Sequence, residues 1–156
     1  MIRNLTFVVL LLILLCGCNS NETLPEDSVF SVDFEIPAQA AAGQAFDAKA
    51  FITNGSRKEW SISHGVDVFT FEIRNREGQL VEQKGTVVVI SLGISSKLVP
   101  KKPYSYTDDH SEQFRRLSIS KPGHYFITAK ANFRIEEKDT QRDISLTSKP
   151  KEIIIE

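Results

Sequence analysis

Tyr125-Phe126-Ile127-Thr128-Ala129-Lys130-Ala131-Asn132-Phe133-Arg134-Ile135 is the stretch whose reading decides the fold. Tyr125, Ile127, Ala129, Ala131, Phe133 and Ile135 share one side of an extended chain. Phe126, Thr128, Lys130, Asn132 and Arg134 share the other. Successive strand side chains point to opposite faces, whereas a helix would scatter these residues around its circumference. The stretch therefore predicts a long strand with one apolar face, which a second layer must cover. Lys121-Pro122-Gly123-His124 places a Pro-Gly turn directly before it, a common lead-in to the late strands of immunoglobulin-like sandwiches.

The same period of two runs outward in both directions. Phe30-Ser31-Val32-Asp33-Phe34-Glu35-Ile36 alternates until Pro37 ends it. Phe46, Ala48, Ala50 and Ile52 alternate next, and Asn54-Gly55-Ser56 turns the chain. Trp60 and Ile62 follow, then Phe69-Thr70-Phe71-Glu72-Ile73-Arg74. Asn75-Arg76-Glu77-Gly78 predicts a hairpin turn into Leu80-Val81. Ile144, Leu146 and the final Ile153-Ile154-Ile155 complete the pattern. No segment keeps helical periodicity over three turns, and there is no internal repeat. Short strands with frequent turn signals predict an all-β fold, an antiparallel immunoglobulin-like β-sandwich of about 7–9 strands. It would occupy residues 28–156 as one domain, long enough to bury a real core. The Cys pair of antibody domains is absent.

The pattern weakens between residues 86 and 119. The run Thr86-Val87-Val88-Val89-Ile90-Ser91-Leu92 suits a strand buried on both faces. Residues 95–109 are polar and contain Pro100 and Pro103, with Leu98, Tyr104 and Tyr106 as candidates for short edge pairings. Phe114, Leu117 and Ile119 predict a strand with a bulge. As the longest stretch without a pattern, 95–109 is read either as a functional loop or as a partnerless mobile hairpin.

Familiar chemistry is missing. Neither nucleotide-binding glycine motif is present, and Gly93-Ile94-Ser95-Ser96-Lys97 lacks the second glycine of a nucleophile elbow. His64, His110 and His124 are isolated from one another. Asp108-Asp109-His110-Ser111-Glu112 is the single acid/His cluster, without the glycine or spacing of a calcium loop, and reads as a solvated turn. Lys101-Lys102 and Arg115-Arg116 flank Tyr104 and Tyr106. Base stacking is disfavoured by acidic neighbours and by a balance of 19 Lys and Arg against 20 Asp and Glu. That balance is not the composition of a polybasic protein of the kind that binds nucleic acid or membrane surfaces through net charge. Trp60 is expected to pack between the sheets. Asn54-Gly55-Ser56 matches a glycosylation sequon. No catalytic residue, metal site or cofactor is predicted.

Both cysteines lie in Leu14-Leu15-Cys16-Gly17-Cys18-Asn19-Ser20, after the apolar run Phe7-Val8-Val9-Leu10-Leu11-Leu12-Ile13-Leu14-Leu15. That run falls well short of the roughly 20 residues that span a bilayer and matches a signal-peptide core. Two thiols are too few for a metal site. A disulfide across one residue would be strained and would constrain almost nothing. Leu15-Cys16-Gly17-Cys18 resembles the bacterial lipobox, with Cys16 an uncommon spacer. The resemblance implies cleavage of residues 1–17, S-diacylglycerol attachment at Cys18 and acylation of its new amine. An ordinary secretory signal cut nearby is the alternative. Residues 18–27 read as the lipidated N-terminus and a polar tether. The expected location is the outer face of a cell membrane, anchored through lipid.

From Phe46 to Phe133 the order of features resembles the Bacillus intracellular proteinase inhibitor family. The residues carrying the resemblance are the Phe46-to-Ser56 strand and turn, then Asp67-Val68-Phe69-Thr70-Phe71-Glu72-Ile73-Arg74-Asn75-Arg76-Glu77-Gly78 with Gln79-Leu80-Val81. Leu98-Val99-Pro100 leading to Tyr104, and Lys121-Pro122-Gly123-His124-Tyr125, complete it. The resemblance implies a β-sandwich and protease binding, and it carries over no functional residue. The expected function is a non-enzymatic, membrane-anchored binding module with a protein partner. The alternative is a lipid-anchored proteinase inhibitor presenting residues 94–109 as a loop.

Overall fold

The computed structural model describes residues 24–82 and 93–156. The apolar leader, Cys18 and the run at 86–92 lie outside them. A 3-10 turn, Asp27–Val29, leads into β1 (Phe30–Glu35), β2 (Gln39–Ala40), β3 (Ala45–Asp47), β4 (Lys49–Asn54), β5 (Trp60–His64) and β6 (Phe69–Asn75). After residue 93 come β7 (Ile94–Leu98), β8 (Pro103–Tyr104), the one-turn helix α1 (Glu112–Arg115), β9 (Arg116–Ser118), β10 (Gly123–Glu137), β11 (Thr140–Thr147) and β12 (Lys151–Ile155).

The stretch at 125–135 forms the spine, extended two residues at each end as β10. Its alternation is realised: Tyr125, Ile127, Ala129, Ala131, Phe133 and Ile135 are all buried. One edge of β10 pairs antiparallel with β6, Ala131 opposite Phe69, and then with β5, Ile135 opposite Ile62. The other edge pairs with β12, Tyr125 opposite Ile153, and with β11, Phe133 opposite Ile144. The first flank is thus interrupted by a turn at 65–68, and the second by a bulge. At the first, Asn132 N–H donates to Val68 O at 2.9 Å. At the second, buried Ser148 bonds Ala129 twice, through its own N–H and by accepting at Oγ, both at 2.9 Å. A bulge such as the second bends a strand and disrupts its ladder locally. β7 extends the sheet beyond β5, and the two residues of β2 add in parallel to β12.

The covering layer has β4 at its centre, with β1 on one side and β8 on the other. β3 continues β4 past a break at Ala48 and pairs with β9. Phe34 and Ile52 from this layer and Ile73, Ile127, Ile135 and Ile153 from the other are fully buried. Phe30 of β1 meets Phe133 of β10 edge to face at 5.7 Å, a favoured aromatic geometry. Tyr125 OH donates to Lys121 O at 2.9 Å. That bond is a tyrosine corner, in which the hydroxyl ties the strand start to its preceding turn.

The fold is an all-β sandwich, as the alternation predicts. Twelve strands are seen among the described residues instead of 7–9, because long strands are broken into shorter ones and several pairings are only two or three residues long. Phe114 does not lie on a bulged strand. It sits in α1, which follows the turn closed by bonds between Asp108 and Ser111, and only Arg116–Ser118 is extended. Leu80 makes one bridge, to Arg74, and is 58% exposed.

Candidate functional site

Residues 94–109 are not a loop throughout. Ile94, Ser96 and Leu98 turn inward and Ser95 and Lys97 outward, so 94–98 alternates and pairs with β5 as β7. The weak apolar content, only Ile94 and fully buried Leu98, hides that strand in the sequence. What remains is a tight turn at 99–102, two residues of β8, and a descent to α1. Lys102 N–H donates to Val99 O at 3.2 Å and Lys101 N–H to Asn54 O at 2.9 Å. Lys101 has a φ of 61°, a left-handed conformation uncommon outside glycine and asparagine.

Asn54 is the hub of this end. It continues the inward series of Ala50 and Ile52 and is 0% exposed. Its amide donates to Leu98 O and Lys58 O, each at 2.8 Å. Its carbonyl accepts from Ser56 N–H at 3.0 Å and Ser56 Oγ at 2.7 Å. Trp60 Nε1 donates to the same Ser56 Oγ at 3.1 Å, with the ring buried and the Lys58 ammonium 4.5 Å from its centre. The sequon asparagine is therefore sealed inside, with both amide hydrogens committed to structure.

A second cluster lies beneath β8. His64 ends the inward series of Trp60 and Ile62 and is buried. Its Nδ1 lies 2.7 Å from Gly65 O, which can only accept, so Nδ1 carries the proton. Nε2 then accepts from Tyr104 OH at 2.6 Å. Burial is the main cause lowering the His64 pKa, against the opposing bond to Gly65 O and the charge of Asp67. Burial raises that of Tyr104. The Tyr106 ring stands 5.2 Å from the His64 ring, and its hydroxyl donates to Asp108 Oδ2 at 2.5 Å. Burial first, then the bond to Asp108 and its negative charge, push Tyr106 up to about 12.

Asp108 is thereby accounted for. Oδ1 accepts from Ser111 N–H at 2.7 Å while Ser111 Oγ accepts from Asp108 N–H at 2.9 Å, a reciprocal pair that closes the turn before α1. The Tyr106 bond, followed by those from Ser111, holds its carboxyl below the usual range. Asp109 and His110 are exposed beside it. Among the described residues no three His, Cys, Asp or Glu side chains converge as a metal site. His124 pairs with Glu152 at 2.7 Å on the outer face.

Lys101-Lys102 and Arg115-Arg116 are not brought together. The lysines sit beside Thr53 at the end of β4, whereas Arg115 O accepts from Ala48 N–H before its start. Near Arg115 an apolar cavity of about 20 Å³, lined by Ala48, Val68, Phe71 and Phe114 among others, has room for about one water. These side chains lock loops to sheets: the His64 lone pair is occupied, and Ser105 Oγ is bonded to Ala50 O at 2.9 Å. Among the described residues no helix is long and apolar enough to cross a membrane.

No family model matches the chain, and no curated protein does. Among solved structures it is similar to Spo0M, a sporulation control protein from Bacillus subtilis, at 13% identity with a TM-score of 0.37. The match covers 82% of this chain and 49% of that one. His64 and Asn54 were the residues hardest to read as important. Each ends an alternating apolar series, and that position on the inward face is the signal that marks a buried polar hub.

Proposed function

We propose that this chain is a bacterial lipoprotein whose immunoglobulin-like sandwich acts as a non-enzymatic interaction module outside the membrane. The observation carrying this reading is the order apolar run, Leu15-Cys16-Gly17-Cys18, polar segment. Residues 24–27 run directly into the sandwich, where Arg142 grips Asp27 at 2.7 Å and bonds Pro25 O. Lipid carried on Cys18 would raise the concentration of the module near other envelope components. Metabolic labelling with palmitate tests this: the full chain should incorporate label and Cys18→Ala should not.

The second reading is a lipid-anchored proteinase inhibitor acting through residues 94–109. One observation favours it. The exposed turn at 99–102 is pinned to Asn54 and Gly55, and a rigid loop limits the ordering cost of binding a protease cleft. Stoichiometric loss of serine-protease activity on titration with the full chain would support it. Undiminished activity across a panel of secreted proteases would remove it.

A further inference from the structure

The overall charge is nearly balanced, yet one end of the sandwich keeps cations without a carboxylate partner among the described residues. One end of the sandwich gathers the entry segment at 24–29, the loop at 55–59, the turn at 99–102 and the hairpin at 138–139, because β1, β5 and β11 start there while β4, β7 and β10 stop there. Val29 O accepts from Gly55 N–H at 2.7 Å, which fixes the entry segment to the loop. Lys101 Nζ donates to Gly55 O at 2.5 Å, which fixes the turn to the same loop. Cations at this end include Arg57, Lys58, Lys101, Lys102 and Lys138.

The acids there are largely neutralised. Glu137 pairs with Lys58 at 2.6 Å, Glu59 with Lys97 at 2.7 Å, and Asp27 with Arg142 at 2.7 Å. Glu26 and Asp139 remain. Arg57, Lys101 and Lys102 are exposed and, among the described residues, are paired with no carboxylate. Lys101 is held in place by its bond to Gly55 O and keeps two ammonium protons for an outside acceptor.

We propose that Arg57, Lys101 and Lys102 form a membrane-facing surface that binds anionic phospholipid headgroups. This inference rests on lipid attachment at Cys18. Six positions separate Cys18 from Leu24, at most about 20 Å of extended chain. The entry segment and the cations share one end, so the tether that reaches the bilayer brings this end to it. Clustered Lys and Arg beside a membrane anchor are attracted by anionic lipid within a Debye length of about 8 Å. A protease docked on the 99–102 turn and a headgroup layer would compete for the same residues.

The test uses the full lipidated chain in phosphatidylcholine vesicles with and without phosphatidylglycerol. Amine acetylation at each lysine is followed by mass spectrometry, and the mass at Cys18 is read in the same sample. Lys101 and Lys102 should acetylate severalfold more slowly with phosphatidylglycerol, and high salt should reverse the protection. Lys121, toward the far end, should be unaffected. Modified Cys18 with equal acetylation of Lys101 and Lys102 in both vesicles overturns the headgroup surface and leaves the anchor standing. Unmodified Cys18 overturns both.

Discussion

Replacing Asn54 with alanine isolates what holds the loop end together. The side chain makes four hydrogen bonds from a fully buried position. Ser56 Oγ already reaches Lys58 O at 3.0 Å and can take over that acceptor. Three bonds are then lost without replacement. At ~1 kcal/mol each, Asn54→Ala costs about 3 kcal/mol. For a sandwich of this size that lowers the melting midpoint by about 10 °C. Urea unfolding should show the same loss as a shift in midpoint with an unchanged slope. Asn54→Asp is the sharper comparison. It keeps the acceptor for Ser56, loses both donors and buries a carboxylate beside two carbonyl oxygens, so it should be no more stable than the alanine variant. A loss under about 1 kcal/mol for alanine, or an aspartate variant as stable as the parent, would refute the hub.

Three further outcomes are expected. Ile127→Ala, at a fully buried position in β10, should cost about 2–5 kcal/mol in denaturant unfolding. Tyr125→Phe keeps the ring and removes only its bond to Lys121 O, so about 1 kcal/mol should be lost. The folded pKa of His64 lies below its ordinary 6.5, so the unfolded chain takes up the proton first. Stability is full above that value and declines as pH falls through it. His64→Gln should flatten this decline, and melting temperatures measured across the window check it.

The core was legible because burial on one face leaves a period of two in β1, β4, β5, β6 and β10. Polar residues at the ends of those series were harder to read. Asn54 and His64 occupy inward positions, but their partners, Leu98 O and Tyr104 OH, come from residues more than thirty positions away. The strand at 94–98 was masked by Ser95, Ser96 and Lys97, whose pairing with Trp60–His64 is a tertiary effect. Asp108 reads in the sequence as part of a solvated turn, because its partners, Tyr106 and Ser111, are set by the path of the chain into α1. The cationic end could not be read from composition at all. Arg57 and Lys101 come from separate segments, which the bond of Lys101 to Gly55 O ties together.

The most direct measurement is the intact mass of the N-terminal peptide from the protein isolated from bacterial membranes. The account predicts that the peptide begins at Cys18 and carries a thioether-linked diacylglycerol. A peptide that retains residues 1–17, or begins elsewhere without lipid, would contradict it.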